Sequence, residues 1–175
     1  MVDSKNLYVS HGMIDIVSIF DLNECRLITE LEIESPFQST SDLNNFYIVS
    51  LFEGDCNIDK RKVEKIKNGN YITIISKLNF NIIKKIQFDN WFDLRSIYLS
   101  NDGNIYTTAF ELDNNKNYSK TRFVLQINKE NNKIMNKIEL NNIVFFCDHL
   151  ILINRIIILA GVNHKDNEMK IIEFY

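Results

Sequence analysis

The chain carries one pattern three times: an alternating apolar strand, an asparagine-centred turn and a second alternating strand. The three copies cover residues 18–33, 73–88 and 123–140, and a fourth begins at Met169. Repeats with spacings of about 50 residues are typical of architectures built from one structural unit. This repeat therefore constrains the fold more than any single motif in the chain.

The repeated unit is predicted to be made of strands, because apolar and polar residues alternate with a period of two. In the first copy Leu27, Thr29, Leu31 and Ile33 share one face. A further pair of strands precedes the second, third and fourth copies, joined by a polar turn, of which Asn101-Asp-Gly-Asn104 is the clearest. Each unit is thus predicted to contain four strands, lettered a to d, with the first lacking a and the last lacking d.

Strand b carries an aromatic motif in three units, Asn6-Leu-Tyr-Val-Ser10, Phe46-Tyr-Ile-Val-Ser50 and Asn104-Ile-Tyr-Thr-Thr108. Strand c of the first unit reads Ser18-Ile-Phe-Asp-Leu22. In these features the chain resembles β-propeller repeat proteins of the WD40-like and YVTN-like kinds, although no Trp-Asp pair closes a unit. The resemblance implies an all-β, propeller-like fold of about four four-stranded antiparallel units, with the first and last incomplete.

The domain organisation is predicted to be a single domain over residues 1–175, because no Gly/Ser/Pro-rich linker divides the chain. Its units are predicted at about 6–34, 37–89, 92–141 and 142–175. An open arc of such units exposes strand edges. The chain is therefore a piece of a longer propeller, or one of several copies that complete a ring, or its termini pair differently; a β-sandwich or barrel is a further alternative.

Charge and cysteine usage limit the partners and the compartment. The formal net charge is −3 and the basic residues are scattered, which argues against nucleic acid. Cys25, Cys56 and Cys147 are odd in number and far apart, so we expect free thiols and a cytoplasmic location. The apolar stretch 142–162 is interrupted by charged residues, which favours two buried strands over a membrane span.

The densest group of reactive residues is Cys147, Asp148 and His149. Alternation along a strand places Cys147 and His149 on one face, where they could bind zinc or form a nucleophile–base pair. A core cysteine beside a turn histidine explains the same residues, since free cysteine is usually buried. No further ligand or orienting acid adjoins them in sequence, so we predict no catalytic residue, no metal site and no cofactor.

Two segments are candidates for binding a partner. Trp91 and Phe92 form an aromatic cluster, and aromatic residues both anchor interfaces and fill cores. The basic run Lys60, Arg61 and Lys62 lies between strands b and c of the second unit, where it contacts an acidic partner or is simply solvated.

Two smaller features precede or follow strand b. Asp42 and Asp102 are predicted to accept hydrogen bonds in turns, in preference to acid–base or calcium chemistry. His11 and Gly12 are predicted to form a turn.

Together these features predict a non-enzymatic protein-interaction scaffold that forms part or all of a β-propeller. Its partner is another protein or further copies of the chain, with no nucleic acid and no membrane. The alternative is an enzyme or cofactor-binding propeller, quinoprotein-like or lactonase-like, with its site near the central channel.

Overall fold

The computed structural model describes residues 1–3, 5–12, 14–51, 70–88, 92–112, 118–140, 146–153, 156–162 and 167–173. Every regular element in these ranges is a β-strand. No helix that could cross a membrane occurs among them.

Fourteen strands in these ranges form four antiparallel sheets, each in chain order. The first sheet contains β1 (Asn6–His11), β2 (Ile16–Asp21) and β3 (Arg26–Glu32). The second contains β4 (Pro36–Ser41), β5 (Asn45–Ser50), β6 (Tyr71–Ser76) and β7 (Ile82–Gln87). The third contains β8 (Phe92–Leu99), β9 (Asn104–Leu112), β10 (Tyr118–Asn128) and β11 (Ile134–Glu139). The fourth contains β12 (Phe146–Ile153), β13 (Ile156–Val162) and β14 (Asn167–Glu173).

This arrangement confirms the predicted all-β fold of antiparallel units with incomplete first and last members. The first sheet starts at strand b and the fourth stops at strand c, with four strands in each sheet between them. An isolated antiparallel bridge also joins Val2 to Leu7 of β1.

The turn between strands c and d has the same form in the first three sheets. The fourth residue after strand c has a left-handed backbone in each case, at Cys25 (φ 50°), Phe80 (φ 58°) and Asn132 (φ 60°). Asparagine tolerates this conformation better than most residues, whereas cysteine and phenylalanine adopt it less readily. A register shift follows each turn, so turn and bulge together set the pairing of strand d.

Consecutive sheets pack face to face, and a hydrophobic cluster fills each of the three gaps between them. In the gap between the first and second sheets, the ring of Tyr8 stacks on Phe46 with 4.1 Å between centroids. The strand-b residues that cross the other two gaps are Tyr47, which joins Ile105 in one cluster, and Tyr106, which joins Ile157 in the next. A side chain from strand b of each of the first three sheets therefore packs between its own sheet and the next.

The inner strands β4, β8 and β12 contact one another in series along the inside of the arc. Each pairs with its neighbour through a register shift, which for β12 falls between Cys147 and His149. A bulge of this kind interrupts strict alternation. The shared face predicted for Cys147 and His149 from alternation alone therefore does not follow at this point of the strand.

Candidate functional site

The first sheet packs on the second through one face and leaves its opposite face uncovered by the described residues. We call this opposite face the end face. Its apolar part is built from cross-strand neighbours: Leu7 pairs with Phe20, and Ile16 pairs with His11. All four of these side chains are only partly buried.

The positions that match the end face in the next two sheets are covered. Phe46 and Ile75 occupy the positions in the second sheet that Leu7 and Phe20 occupy in the first, and both are 0% exposed. The pair Ile105 and Ile127 in the third sheet has the same register, and both members are again 0% exposed. The end face therefore carries the side chains of an inter-sheet interface without the sheet that covers them elsewhere in the molecule.

A polar network crosses the end face. Ser18 Oγ donates to Glu30 Oε1 at 3.0 Å, and His11 Nε2 lies 3.1 Å from the same Ser18 oxygen. The three residues come from β2, β3 and β1, so the network ties the whole sheet together. Contrary to the predicted turn, His11 is the last residue of β1.

The geometry of this network does not suit nucleophilic catalysis. A serine nucleophile gives its proton to the histidine, which an acid orients. Here Ser18 Oγ donates its one proton to Glu30 Oε1, so the hydroxyl does not present that proton to His11. Ser18 is also only 2% exposed, which keeps a substrate carbonyl away from its oxygen.

The other end of the arc has a matching open position. Ile158 in β13 has the strand-b register of Tyr47 and Tyr106, whose side chains are 0% and 7% exposed. Ile158 is less completely buried than these tyrosines. Its backbone partners in the two neighbouring strands are Ile151 and Ile171.

A second apolar surface is formed by two turns of the second sheet. The turns are joined by a hydrogen bond of 2.9 Å from the Lys77 amide to the Asn44 carbonyl. Leu43 and Leu78 in these turns are 90% and 91% exposed. Because these side chains are outside the inter-sheet register, they provide a natural comparison for the end face.

Acidic side chains clamp the turns before strand b. Asp42 Oδ1 accepts from the amides of Asn44 and Asn45 at 2.9 and 2.7 Å, and its Oδ2 accepts from Tyr47 at 2.8 Å. The predicted role of Asp42 as a turn acceptor is thereby confirmed, and the same holds for Asp102, whose Oδ1 accepts from the Asn104 amide at 3.0 Å.

The electrostatics of Asp42 follow from its contacts. Burial alone raises the pKa of this carboxyl, but the bonds from Lys129, Tyr47 and two backbone amides outweigh it and lower the pKa to about 2. The carboxylate is therefore ionised at neutral pH, is held by structural hydrogen bonds and is a poor general base.

A buried polar group occupies the inner strand of the third sheet. Asp93 is 0% exposed and binds Arg95 through Nη2 at 2.6 Å and Nε at 2.8 Å. Beside this pair, Ser96 Oγ and Thr108 Oγ1 are 2.6 Å apart. These contacts satisfy polar groups at the bulge of β8, which is a structural role.

Of the site candidates predicted from sequence, the structure describes the side chain of Phe92 alone. Phe92 is 1% exposed and packs edge-on against Phe88, with 6.5 Å between centroids, in the core between the second and third sheets. Trp91, Lys60, Arg61 and Lys62 lie outside the described residues. Cys147, Asp148 and His149 belong to β12, and the structure describes their backbone only.

No group of three or more histidine, cysteine or acidic residues among the described residues is arranged to hold a metal ion. The end face was missed from sequence, although its apolar residues are visible in the alternation of β1 and β2. The His11–Ser18–Glu30 network carries no sequence signal, because it depends on the register of three strands.

No protein-family model and no curated protein matches this chain. Solved structures do match. Hydrazine synthase of Kuenenia stuttgartiensis has a TM-score of 0.67 at 16% identity, over 98% of this chain and 48% of that one. The WD40 β-propeller domain of Doa1 has a TM-score of 0.62 at 14% identity, over 95% and 46%.

Dihydro-heme d1 dehydrogenase NirN in complex with DHE has a TM-score of 0.60 at 13% identity, over 97% of this chain and 33% of that chain. This chain thus spans about half or less of the length of these three structures. At such low identity the similarity shows a propeller-type fold and nothing more specific.

Proposed function

We propose that this chain is a non-enzymatic protein-interaction scaffold, an arc of a β-propeller that binds another protein through the end face of its first sheet. The observation that carries the proposal is the register match between Leu7–Phe20, which are partly buried, and Phe46–Ile75 and Ile105–Ile127, which are completely buried. The partner is expected to present a β-sheet, because a sheet covers the equivalent positions three times within the arc.

The energetics favour covering this face. Full burial of a large apolar side chain stabilises a complex by about 1.5–3 kcal/mol relative to exposure. Leu7 and Phe20 have already lost part of their contact with water, so each adds a fraction of that value. The His11–Ser18–Glu30 network pairs His11 Nε2, the Ser18 hydroxyl and Glu30 Oε1 with one another, so a partner sheet need not supply partners for these three atoms.

Site-specific photocrosslinking tests the proposal. A benzophenone side chain placed at Phe20 in the cell of origin is expected to crosslink one defined polypeptide, identified by mass spectrometry. The same group at Leu78, an exposed leucine outside the inter-sheet register, is the matched control. Equal crosslinking at both positions, or none at Phe20, would contradict the end face as the binding surface.

Trp91 and the basic run Lys60, Arg61 and Lys62 are further proposed contact sites on the same scaffold. Their test is capture of the polypeptide identified above by the variants Trp91→Ala and Lys60→Ala/Arg61→Ala/Lys62→Ala. Weaker capture with an unchanged unfolding temperature supports each site, and unchanged capture by both variants removes them.

The enzymatic alternative predicts a site that contains Cys147, Asp148 and His149. Two measurements decide it: the metal content of the purified chain and the effect of His149→Ala on any activity found. Stoichiometric metal that is lost in this variant would favour the enzyme over the scaffold.

A further inference from the structure

We propose that the partner covering the end face is a second copy of this chain, packed head to tail so that two arcs close one ring. In this arrangement the fourth sheet of each copy covers the first sheet of the other. The inference rests on the proposed function and names its partner.

The first argument is the rule that governs the contacts inside the arc. In the first gap Tyr8 stacks on Phe46, which lies one register position earlier in the strand b of the next sheet. In the other two gaps the residues at the same two positions share a hydrophobic cluster, Tyr47 with Ile105 and Tyr106 with Ile157. If the first sheet of a second copy follows the fourth sheet, the same relationship pairs Ile158 with Leu7 of that copy. Both are apolar, and neither is fully buried in the single arc.

The second argument is the chemistry of the two ends. Ile158 pairs in backbone register with Ile151 and Ile171, so isoleucine is the residue type at this level in all three strands of the fourth sheet. Leu7 lies beside Phe20 at the same level of the first sheet. A contact between unlike surfaces forms a closed ring or an open filament, depending on the rotation it imposes.

The third argument is the size of the arc, which selects the number of copies. The arc aligns with 46% of the WD40 β-propeller domain of Doa1, the one of the three compared structures that is named as a propeller domain. Two arcs therefore supply about the amount of sheet in that domain. A ring of two copies also hides both open sheet faces at once.

The experiment is the molar mass of the purified chain by light scattering over a wide range of protein concentration. We expect twice the chain mass of 20.6 kDa. The variants Leu7→Lys and Ile158→Glu are each expected to weaken dimerisation at least tenfold, because each places a charge in both contacts of its own homodimer. Leu43→Lys and Leu78→Glu are matched controls on exposed leucines outside the register and should leave the dimer intact.

Mixing the two interface variants provides the sharpest test. A mixed ring contains one native contact and one Lys–Glu contact, so an equimolar mixture should recover the dimer that neither variant forms alone. Circular dichroism and thermal unfolding of each variant confirm that it is folded before mixing.

A monomer at every concentration, or a dimer that both interface variants retain, would overturn the inference. A larger assembly that both variants dissolve would overturn the ring of two copies. The proposed function survives either result if Phe20 still crosslinks a different polypeptide, and it fails if Phe20 crosslinks nothing.

Discussion

Lys129 of the third sheet binds the carboxylate of Asp42 in the second sheet, and its ammonium lies 5.5 Å from the centroid of the Tyr47 ring. The same contact recurs one sheet earlier, where Lys77 Nζ lies 3.4 Å from Asp3 Oδ2. In both cases a lysine that follows strand c reaches back to the turn before strand b of the preceding sheet. These clamps join neighbouring sheets at the rim, outside the apolar clusters.

We expect Asp42→Asn to lower the free energy of unfolding by about 1.5 kcal/mol, the lower end of the range for a hydrogen bond to a charged group, because the pair is partly exposed. The variant loses the charge that binds Lys129 and keeps an oxygen for the turn amides. Urea unfolding measures the change. Asp102→Asn alters the matching turn of the third sheet and should cost less; an equal loss in both variants would show that the inter-sheet clamp adds nothing.

The clamp also predicts a dependence on pH. The pKa of Asp42 is about 2 in the folded chain, below the ordinary aspartate value of 3.8, so its ionised form stabilises the fold. That contribution is complete above about pH 4 and is lost as the pH falls towards 2. The stability difference between the native chain and Asp42→Asn should therefore shrink over this window, and a constant difference would contradict the assignment.

Ser18 and Thr73 occupy matching positions of the first and second sheets but differ in their hydrogen bonds. Ser18 bonds both His11 and Glu30, whereas Thr73 Oγ1 is buried with no hydrogen-bond partner among the described residues. We expect Ser18→Ala to destabilise the chain by about 1 kcal/mol. Thr73→Val should be neutral or stabilising, because it removes an unpaired hydroxyl. Thermal unfolding of the two variants tests this difference. Equal losses of stability in both variants would contradict it.

The buried ion pair of the third sheet should be far more sensitive than an exposed one. Asp93→Asn leaves the Arg95 guanidinium without its carboxylate and is expected to cost about 3 kcal/mol. Glu111→Gln breaks the partly exposed pair with Lys137, whose atoms are 3.1 Å apart, and should cost less than about 1 kcal/mol. Denaturant unfolding measures the free energy of unfolding of both variants. Similar losses would show that the buried pair is no more sensitive than the exposed one.

Much of the fold could be predicted because the strand signal is local. The strand–turn–strand copies predicted over 18–33, 73–88 and 123–140 are observed as the pairs β2–β3, β6–β7 and β10–β11. The turn role of Asp42 was likewise visible, since its amide partners are two and three residues away.

The candidate site was less predictable because its contacts are distant in sequence. The sequence groups Phe92 with Trp91 as a candidate for binding a partner, because a core aromatic residue and an interface aromatic residue look alike in sequence, but Phe92 lies in the core. Lys129 and Asp42 are separated by 87 positions, and only the stacking of sheets brings them together. The bulge at Cys147–His149 is a property of strand pairing and leaves no trace in composition.

The sequence by itself determined the repeating antiparallel unit and its phase relative to the chain, because period-two alternation and polar turns act over a few residues. Only the tertiary structure decided which apolar faces are covered. Leu7 and Phe46 carry the same pattern, but Phe46 is buried under Tyr8 while Leu7 is left partly exposed. The physical reason is that burial depends on whether another sheet packs against the side chain. That sheet comes from a distant part of the chain, so the residues around Leu7 or Phe46 do not reveal it.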